Sequence, residues 1–469
     1  MKLTANDLLS LDPGEIRHRH LLSGKRFVGI SIDSRRTRPG ELFVALRGEQ
    51  FDGHAFLNDA AAKGAVAALV ERVPEVGKLH DFPVVVVEDT VHALGHLARR
   101  HRKKFTLPVL AIAGSNGKTT TKELVISVLR KRYSVLGTEG NLNNQIGVPL
   151  TLFRLQRRHD IAVIEIGTNH PGEIEYLCGI LEPTHGLVTN IGSEHLEFFG
   201  TLDGVAWEEG ALFDNLAGQP GATAFVNADD ARVVVRSRRV AKKVTFGFRG
   251  RRRNVRGSDL RLNEQGCPAF RFLGGRLKSP VPVELSMPGR HNAINALAAA
   301  AVGLAFRVPS GEIRSALQTS RPVGRRMEVI EAGGVTVLND TYNANPDSMR
   351  AALETLARSV VPGKRIAVLA DMRELGAAGV REHACIGEEI TRLGIDYVLT
   401  YGDLARHIRN TARARFTAHY ERKNVLAEYL VELVEPEDAV LVKGSRSMQM
   451  EDIVTFLVEQ LRARQKPRA

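Results

Sequence analysis

The stretch that decides the fold is Val109-Leu110-Ala111-Ile112-Ala113-Gly114-Ser115-Asn116-Gly117-Lys118-Thr119-Thr120. Its first five residues are apolar and predict a buried strand. The glycine-rich turn after them leads into a segment in which Leu124, Val125, Val128 and Leu129 recur at helical spacing. Glycines let backbone N–H groups approach phosphate oxygens, and the N-terminus of a helix adds partial positive charge. Strand, turn and helix in this order predict a phosphate-binding loop.

The side chains of this turn indicate which phosphates it binds. We expect Lys118 to neutralise the β- and γ-phosphates of ATP and the Thr119 hydroxyl to bind Mg²⁺. The general pattern has a glycine five residues before Gly117, where this chain has Ile112. Gly114 comes three residues before Gly117, so the match is to a shortened form. The ATP-binding residues predicted in the loop are Gly114, Ser115, Asn116, Gly117, Lys118, Thr119 and Thr120.

Strand and helix patterns alternate through most of the chain. Buried strands predicted at 161–166 and 187–191 indicate a parallel sheet covered by helices on both faces. Residues 222–285 carry shorter β segments, which we expect to form an antiparallel edge. The 469 residues suggest about three domains. The predicted fold class is therefore α/β, with a small N-terminal α/β domain (1–87), a central P-loop ATPase-like domain with a parallel sheet (88–320) and a C-terminal Rossmann-like domain (321–469).

Composition excludes several classes of protein. The net charge of +12 suits either nucleic acid or phosphorylated small molecules. The densest basic cluster, 249–256, has no interleaved aromatic residue, so we interpret it as a solvated hairpin loop and expect no nucleic-acid partner.

Cys178, Cys267 and Cys385 are too far apart for a disulfide framework or a zinc site. No apolar run predicts a membrane span and the first residues do not resemble a signal peptide, so we expect a cytoplasmic protein.

Two segments after buried strands supply candidate metal ligands. Glu165 ends a strand, where a carboxylate would point into the ligand crevice and could hold Mg²⁺. A solvated glutamate at the strand end is the alternative. The segment 190–197 follows the next strand and contains His195. Taken alone, a single histidine in such a place is more often a hydrogen-bonded surface residue.

A family resemblance joins these segments. Residues 114–120 resemble the ATP loop shared by Mur ligases and folylpolyglutamate synthases, and 190–197 resembles the Asn-x-x-x-x-His-Leu-(Glu/Asp) segment of Mur ligases. The resemblance implies an enzyme in which ATP phosphorylates a carboxylate. It also implies that Glu165 and His195 help to bind Mg²⁺.

The segment Gly204–Phe213 departs from the family pattern. Mur ligases usually carry a lysine four residues before its final aromatic residue, and CO₂ converts that lysine to a carbamate that contacts Mg²⁺. Here Glu209 occupies the position. We expect Glu209 to supply a carboxylate directly and so to replace the carbamate. The alternative is that Glu208 and Glu209 are solvated charges on a helix.

Further resemblances extend the ATP site. Residues 288–298 resemble the family's Gly-(Arg/Lys)-His-Asn-x-x-Asn-Ala motif, which implies that Asn292 and Asn295 contact adenine. Helix capping by Asn292 is the alternative. Arg326 aligns with the family arginine that reaches the transferring phosphate, and Asp340 is expected near the ATP ribose. Closure of the third domain would then complete the site and exclude water.

The segment 340–349 indicates the branch of the family. It resembles the Asp-x-Tyr-Asn-Ala-Asn-Pro-x-Ser-Met of the ligases that add D-alanyl-D-alanine to UDP-N-acetylmuramoyl-tripeptide, and 370–376 and 442–451 agree with that branch. Near the N-terminus, 31–35 and 39–45 resemble the family's UDP-sugar-binding domain. The predicted substrate-binding residues are Ser31, Asp33, Ser34, Arg35, Tyr342, Asn343 and Asn345. The predicted catalytic residues are Lys118, His195, Glu209 and Arg326, and the predicted metal ligands are Thr119, Glu165, His195 and Glu209.

The resemblance implies a reaction and leaves two rivals. The expected enzyme is an ATP- and Mg²⁺-dependent ligase, acting as a monomer, that forms an amide bond through an acyl phosphate in peptidoglycan precursor synthesis. One rival is a related ligase, such as the diaminopimelate-adding member of the family or a folylpolyglutamate synthase. The other is a non-enzymatic nucleotide-binding protein that holds nucleic acid. The third residue of the accepted peptide, the degree of domain closure and the role of 249–256 stay open at this stage.

Overall fold

The structure is a computed structural model. It describes residues 3–11, 13–48, 51–72, 81–250 and 253–465. Contacts divide the chain into two compact units. The first comprises Met1–Ala111, Tyr133–Thr168 and Gly172–His185, and the second comprises Ile112–Arg132, Asn169–Pro171 and Gly186–Ala469. The domain boundaries at residues 87/88 and 320/321 stay predictions.

The N-terminal part of the first unit is built on a five-stranded sheet. Its elements are β1 (Leu3–Thr4), α1 (Ala5–Leu9), β2 (Glu15–Arg17), β3 (Arg26–Phe27), β4 (Ile30–Ser31), β5 (Leu42–Val44), α2 (Leu57–Ala62), β6 (Ala67–Val70), β7 (Val84–Val86) and α3 (Thr90–Arg102). The sheet has the order β2-β7-β6-β5-β4, and β1 and β3 form a separate antiparallel pair. Strands β4 to β7 run parallel and β2 is antiparallel to β7. Phe43, Ala60 and Val70 belong to its apolar core.

The central part of the chain forms a nine-stranded sheet with helices. Its elements are β8 (Val109–Ala113), α4 (Lys118–Leu129), β9 (Val135–Gly137), α5 (Gly147–Leu152), β10 (Ile161–Glu165), α6 (Glu173–Leu181), β11 (His185–Val188), α7 (Leu196–Phe199), α8 (Leu202–Ala217), β12 (Thr223–Asn227), α9 (Ala231–Arg236), β13 (Lys242–Gly247), β14 (Val255–Leu262), β15 (Pro268–Gly274), β16 (Val281–Glu284), α10 (His291–Ala305) and α11 (Ser310–Thr319). The strand order is β16-β15-β14-β13-β12-β11-β8-β10-β9.

Two expectations for 222–285 need correction. Strands β14, β15 and β16 do form an antiparallel edge, but β12 and β13 are parallel and are connected through α9. Strand β13 also pairs in parallel with β14, and the basic cluster 249–256 follows β13 and runs into the first two residues of β14. The cluster is therefore not a hairpin loop, because a hairpin joins antiparallel strands. Arg251 and Arg252 within it lie outside the described residues.

The C-terminal region is a six-stranded sheet with helices. Its elements are β17 (Glu328–Ala332), β18 (Val335–Asp340), α12 (Pro346–Arg358), β19 (Arg365–Ala370), α13 (Gly379–Leu393), β20 (Tyr397–Tyr401), α14 (Arg406–Thr411), β21 (Phe416–Tyr420), α15 (Lys423–Leu433), β22 (Ala439–Lys443) and α16 (Glu451–Gln465). The order is β17-β18-β22-β19-β20-β21, and only β17 is antiparallel to its neighbour. Separate apolar clusters around Val440 and Leu441 indicate helices packed on both faces, as in a Rossmann-like domain.

These sheets confirm the predicted α/β fold class. The register of the C-terminal sheet pairs Asp340, the last residue of β18, with Lys443, the last residue of β22. The carboxyl ends of parallel strands thus bring charged side chains from distant segments to one edge. Among the described residues, none of the helices combines the length and the apolar character that crossing a membrane requires.

Candidate active site

The predicted phosphate loop forms the turn between β8 and α4, and two positions in it require glycine. Gly114 has φ 116°, and a Cβ there would overlap the Thr189 hydroxyl and lie 2.7 Å from the Thr189 backbone nitrogen. Gly117 has φ 80°, and a Cβ there would lie 2.8 Å from Oδ1 of Asn295. Both the backbone conformation and the close neighbours therefore exclude side chains at these positions.

Hydrogen bonds fix the loop to the end of β11. The backbone N–H of Ser115 donates to the carbonyl of Asn190 at 2.9 Å, and that of Asn116 donates to Oδ1 of Asn190 at 3.1 Å. The Thr189 hydroxyl donates to the carbonyl of Asn116 at 2.7 Å. The N–H of Gly192 donates to the Ser115 hydroxyl at 2.8 Å. Bonds within the protein thus determine the shape of the loop, and preorganisation of this kind favours phosphate binding.

Lys118 contacts two buried glutamates. Its Nζ donates to Oε2 of Glu194 at 3.3 Å and lies 3.7 Å from Oε1 of Glu209. The other oxygen of Glu209 accepts the backbone N–H of Gly114 at 2.7 Å. Glu209 is 0% exposed and Glu208 4%, so neither is a solvated helix charge. Helix α8 instead directs Glu209 at the phosphate loop.

The two glutamates have opposite electrostatic environments. Burial raises the pKa of Glu209 to about 8, and the negative charge of Glu194 adds to the rise, against the opposing effects of Lys118 and the Gly114 N–H. Burial also opposes ionisation of Glu194, but the positive charges of Lys118 and His195 outweigh it and hold the pKa of Glu194 below its ordinary value. Near neutral pH the pair therefore carries about one negative charge, which matches the single charge of Lys118.

These carboxylates can accept a cation. Oε1 of Glu194 and Oε1 of Glu209 are buried and, in the described part of the chain, accept no hydrogen bond from outside this pair. Thr119, the second residue of α4, is also buried. Within the described ranges, no three His, Cys, Asp or Glu side chains converge to hold a metal by themselves. A divalent cation there would complete its shell with phosphate oxygens and water, as Mg²⁺ does in nucleotide sites.

Glu165, the remaining predicted metal ligand, lies in the first unit. It is 2% exposed at the end of β10. Its Oε1 accepts the side-chain amide of Asn143 at 2.9 Å, and its backbone N–H donates to the Thr138 hydroxyl at 3.0 Å. The side chain is thus held within the protein and is not a solvated carboxylate at a strand end. Its role as a metal ligand stays a prediction.

His195 faces a residue of the C-terminal region. Its Nδ1 lies 2.6 Å from Oε2 of Glu374, and hydrogen bonding from the His195 side chain holds the pKa of Glu374 below its ordinary value. The backbone N–H of Glu197 donates to the carbonyl of Glu374 at 3.1 Å. His195 is therefore more than a surface histidine, because it lies where two segments distant in sequence meet.

The segment before α12 reaches the phosphate loop. Nδ2 of Asn345 donates to Oδ1 of Asn116 at 2.9 Å, while Oδ1 of Asn345 caps α12 by accepting the N–H of Ser348 at 2.8 Å. Asp347 accepts the backbone N–H of Ser193 at 2.7 Å. Asn345, predicted to bind substrate, thus uses both ends of its amide within the protein in this structure.

Arg326 and Asp340 lie at the edge of the C-terminal sheet. Oδ2 of Asp340 accepts from Nζ of Lys443 at 2.6 Å, and its Oδ1 accepts the N–H of Met327 at 3.1 Å. The guanidinium of Arg326 lies over the ring of Tyr342, 3.6 Å from the centroid. The side-chain oxygen of Asn343 accepts the backbone N–H of the next residue, Ala344, at 2.9 Å. The contacts of these residues with ATP or substrate stay predictions.

The predicted adenine-binding asparagines are buried beside the loop. Nδ2 of Asn295 donates to Oδ1 of Asn292 at 3.1 Å, and Nδ2 of Asn292 donates to the carbonyl of Pro288 at 2.7 Å. A cavity of about 610 Å³ opens nearby, with Asn190, Phe248, Arg290, His291 and Ile294 among the residues that line it. Neither Asn292 nor Asn295 lines this cavity.

The predicted UDP-site residues form a local network in the first unit. Asp33 accepts the backbone N–H of Arg35 at 3.0 Å and two guanidinium bonds from it at 2.9 Å. These bonds lower the pKa of Asp33 to about 2. The Ser31 hydroxyl donates to the carbonyl of Asp33 at 2.9 Å, and Ser34 is buried. The guanidinium of Arg35 remains largely exposed, which leaves most of its surface to a ligand.

Sequence reasoning missed four residues of the site. Three of them contact a predicted residue from a distant segment: Glu194 contacts Lys118, Glu374 contacts His195 and Lys443 contacts Asp340. The fourth, Asp347, accepts the backbone N–H of Ser193, two residues before the predicted His195. All four lie inside segments that resemble family motifs, which was the available signal. The sequence alone does not state which partner each side chain meets.

Comparisons with known proteins agree with this geometry. The profile of the Mur ligase family catalytic domain matches residues 26–102, that of the Mur ligase middle domain matches 112–303, and that of the Mur ligase glutamate ligase domain matches 325–446. A relative from Escherichia coli (strain K12), UDP-N-acetylmuramoyl-tripeptide–D-alanyl-D-alanine ligase, is 38% identical over 438 residues, which cover 92% of this chain and 93% of that protein.

Solved structures give the same result. MurF from Acinetobacter baumannii superposes with a TM-score of 0.89 at 32% identity, covering 98% of this chain and 99% of that one. MurF from Thermotoga maritima in complex with ADP superposes with a TM-score of 0.82 at 29% identity, covering 93% of this chain and 98% of that one. The chain therefore belongs to the Mur ligase family.

Proposed function

We propose that this protein is an ATP-dependent ligase that joins D-alanyl-D-alanine to UDP-N-acetylmuramoyl-tripeptide through an acyl-phosphate intermediate. The observation that carries the proposal is the preformed phosphate loop, whose Lys118 lies between two buried glutamates. The E. coli relative that bears this activity in its name aligns with 92% of the chain, and the Thermotoga relative is described in complex with ADP.

The chain's own residues supply most of the phosphoryl-transfer chemistry. The backbone N–H groups of 114–120 and the N-terminus of α4 would bind the β- and γ-phosphates. Lys118 would offset the charge on the moving phosphoryl group, and Arg326 would add a planar guanidinium from the C-terminal region. The acid of the tripeptide attacks the γ-phosphorus and ADP leaves. The amine of the dipeptide then attacks the acyl carbon and phosphate leaves.

Mg²⁺ fits the donor set around Lys118. Thr119, His195 and Glu209 are the predicted ligands in the second unit, and Glu194 joins them because it too has a buried oxygen that, among the described residues, accepts no hydrogen bond from outside its pair with Glu209. When bound, the cation would offset negative charge on the phosphate oxygens. The two carboxylates would hold it beside the loop, and Lys118 would then be released toward the nucleotide.

Glu209 makes a covalent carbamate unnecessary. Its carboxylate already lies at the loop, with one oxygen on the Gly114 N–H and the other toward Lys118. We propose that this side chain takes the place that the carbamylated lysine has in related ligases. The chain would then need neither CO₂ nor bicarbonate for cation binding.

Substrate contacts complete the proposal. The cavity of about 610 Å³ is large enough for a purine and is lined by Asn190, which also holds the phosphate loop. Asn292, Asn295 and Asp340 would contact the adenosine from neighbouring positions. Ser31, Asp33, Ser34 and Arg35 would bind the UDP-sugar, with Tyr342, Asn343 and Asn345 orienting the peptide or the dipeptide. Action as a monomer is part of the proposal.

A substrate panel tests it. Purified protein with ATP and Mg²⁺ is incubated with UDP-muramoyl peptides that differ in length and in their third residue, each with D-alanyl-D-alanine or with single amino acids. We expect phosphate release only with a tripeptide and the dipeptide together. Turnover with UDP-muramoyl-dipeptide and a single amino acid would overturn the proposed substrates, and binding of nucleic acid without ATP turnover would overturn the enzyme.

A further inference from the structure

Glu374 lies where it can control the imidazole of His195. Its Oε2 lies 2.6 Å from Nδ1, although the contact is too bent to meet the geometry of a regular hydrogen bond. A carboxylate this close to an unprotonated nitrogen would meet its lone pair and be repelled. The contact therefore places a proton on Nδ1, and in the neutral ring the lone pair is on Nε2.

The backbone around this contact is unusual on both sides. His195 has φ 47° and Glu374 has φ 64°, both in the left-handed region that non-glycine residues rarely adopt. A Cβ on Gly376 would lie 3.1 Å from Cα of Glu197, so the two segments approach closely. The bond from the Glu197 N–H to the Glu374 carbonyl fixes their register. Strain of this kind persists where the surrounding structure over-determines it, and it is concentrated at functional sites.

We propose that Glu374 is a positioning residue for the cation site: by holding the proton of His195 on Nδ1, it leaves Nε2 as the donor to the divalent cation that accompanies ATP. Histidines that bind metals commonly give their other ring N–H to a carboxylate, which fixes the tautomer and the orientation of the ring. Here that carboxylate comes from the C-terminal region. Docking of the segment 374–376 on α7 would therefore complete the cation site.

The inference rests on the proposed function, and cation affinity tests the two separately. Mn²⁺ replaces Mg²⁺ as a spectroscopic probe, and its binding to the protein saturated with ADP is followed by electron paramagnetic resonance. Three variants are compared with the unsubstituted protein. Glu374→Ala removes the acceptor, and Glu374→Gln keeps an oxygen that can accept from Nδ1–H. Glu197→Gln is the matched control, because Glu197 is exposed and bonds to Glu374 through its backbone N–H, which the substitution keeps.

We expect Glu374→Ala to weaken Mn²⁺ binding about 10- to 100-fold, the usual effect of losing such a partner. Glu374→Gln should restore most of the affinity, and Glu197→Gln should leave it unchanged. Circular dichroism and the melting temperature of each variant report whether it is folded, and Glu374→Gln keeps the test valid if Glu374→Ala does not fold.

Two results would overturn the inference while leaving the proposed function intact. One is Mn²⁺ affinity in folded Glu374→Ala equal to that of the unsubstituted protein. The other is a loss in Glu374→Gln as large as in Glu374→Ala, since the amide oxygen still accepts the ring proton. Absence of Mn²⁺ binding by the unsubstituted protein with ADP would overturn this inference together with the cation site of the proposed function.

Discussion

Replacing Glu209 with glutamine should stabilise the protein without nucleotide at alkaline pH and change little at acidic pH. Glutamine has the same shape and can still accept the Gly114 N–H, but it carries no charge to bury. The pKa of Glu209 in the folded protein is about 8, against an ordinary value of 4.5. Glu209 is 0% exposed, so solvent does not screen this effect.

The direction of the effect follows from proton binding. Because the folded state raises the pKa, it binds the proton more tightly than the unfolded chain. The stability that this proton contributes is complete below pH 4.5 and is lost as pH rises to about 8. At about 1.4 kcal/mol per pH unit, the loss is at most about 5 kcal/mol. We expect less, about 1–3 kcal/mol, because relaxation of the protein and entry of water around an ionised Glu209 reduce the cost of burying its charge.

Urea unfolding between pH 5 and pH 9 measures this difference. The gain of Glu209→Gln over the unsubstituted protein should grow with pH and level off above about pH 8. Glu194→Gln should reduce the pH dependence, because it removes the negative charge that helps to raise the pKa of Glu209. The exposed control Glu197→Gln should show no such trend. If Glu209→Gln raised the free energy of unfolding equally at every pH, or lowered it increasingly as pH rises, the reasoning would be refuted.

Three other substitutions have definite expected outcomes. Gly114→Ala should cost about 2 kcal/mol or more of stability and abolish ADP binding measured by calorimetry. The control is Gly221→Ala, because Gly221 has φ 79° but nothing within 4 Å of the added Cβ. This variant should lose less stability and bind ADP normally. Asn345→Ala should cost about 1 kcal/mol for the lost helix cap and also weaken ADP binding, whereas Ser348→Ala, which disturbs the same capping box without touching Asn116, should affect stability alone. Glu209→Lys should make ATP turnover depend on added bicarbonate, and equal dependence of the unsubstituted protein would contradict the role proposed for Glu209.

Local patterns were sufficient to predict the fold class and the phosphate loop. The strand Val109–Ala113, the glycines and the apolar spacing of α4 are all encoded within about twenty consecutive residues, where backbone preferences and burial agree. The direction of β12 and β13 could not be predicted in this way. Short β segments have the same composition whether they pair in parallel or not, and the deciding feature was the helix α9 that connects them.

Contacts between distant segments account for the rest. The sequence indicated that Glu209 and His195 matter but not that Glu209 is fully buried beside Glu194, or that Glu374 faces His195. Asn345 illustrates the limit most clearly. Its place in a family-like motif predicted a substrate contact, while the structure shows its amide bonded to Asn116 and Ser348. Side-chain partners are set by tertiary packing, which one sequence does not specify.

The most direct test of the central claim is ATP-dependent phosphate release measured with UDP-N-acetylmuramoyl-tripeptide and D-alanyl-D-alanine, together and separately, for the unsubstituted protein and for Lys118→Ala. The account predicts release that requires both substrates and is lost in Lys118→Ala, whose folding is verified by its melting curve. Release that persists in Lys118→Ala, or that needs only one of the two substrates, would contradict it.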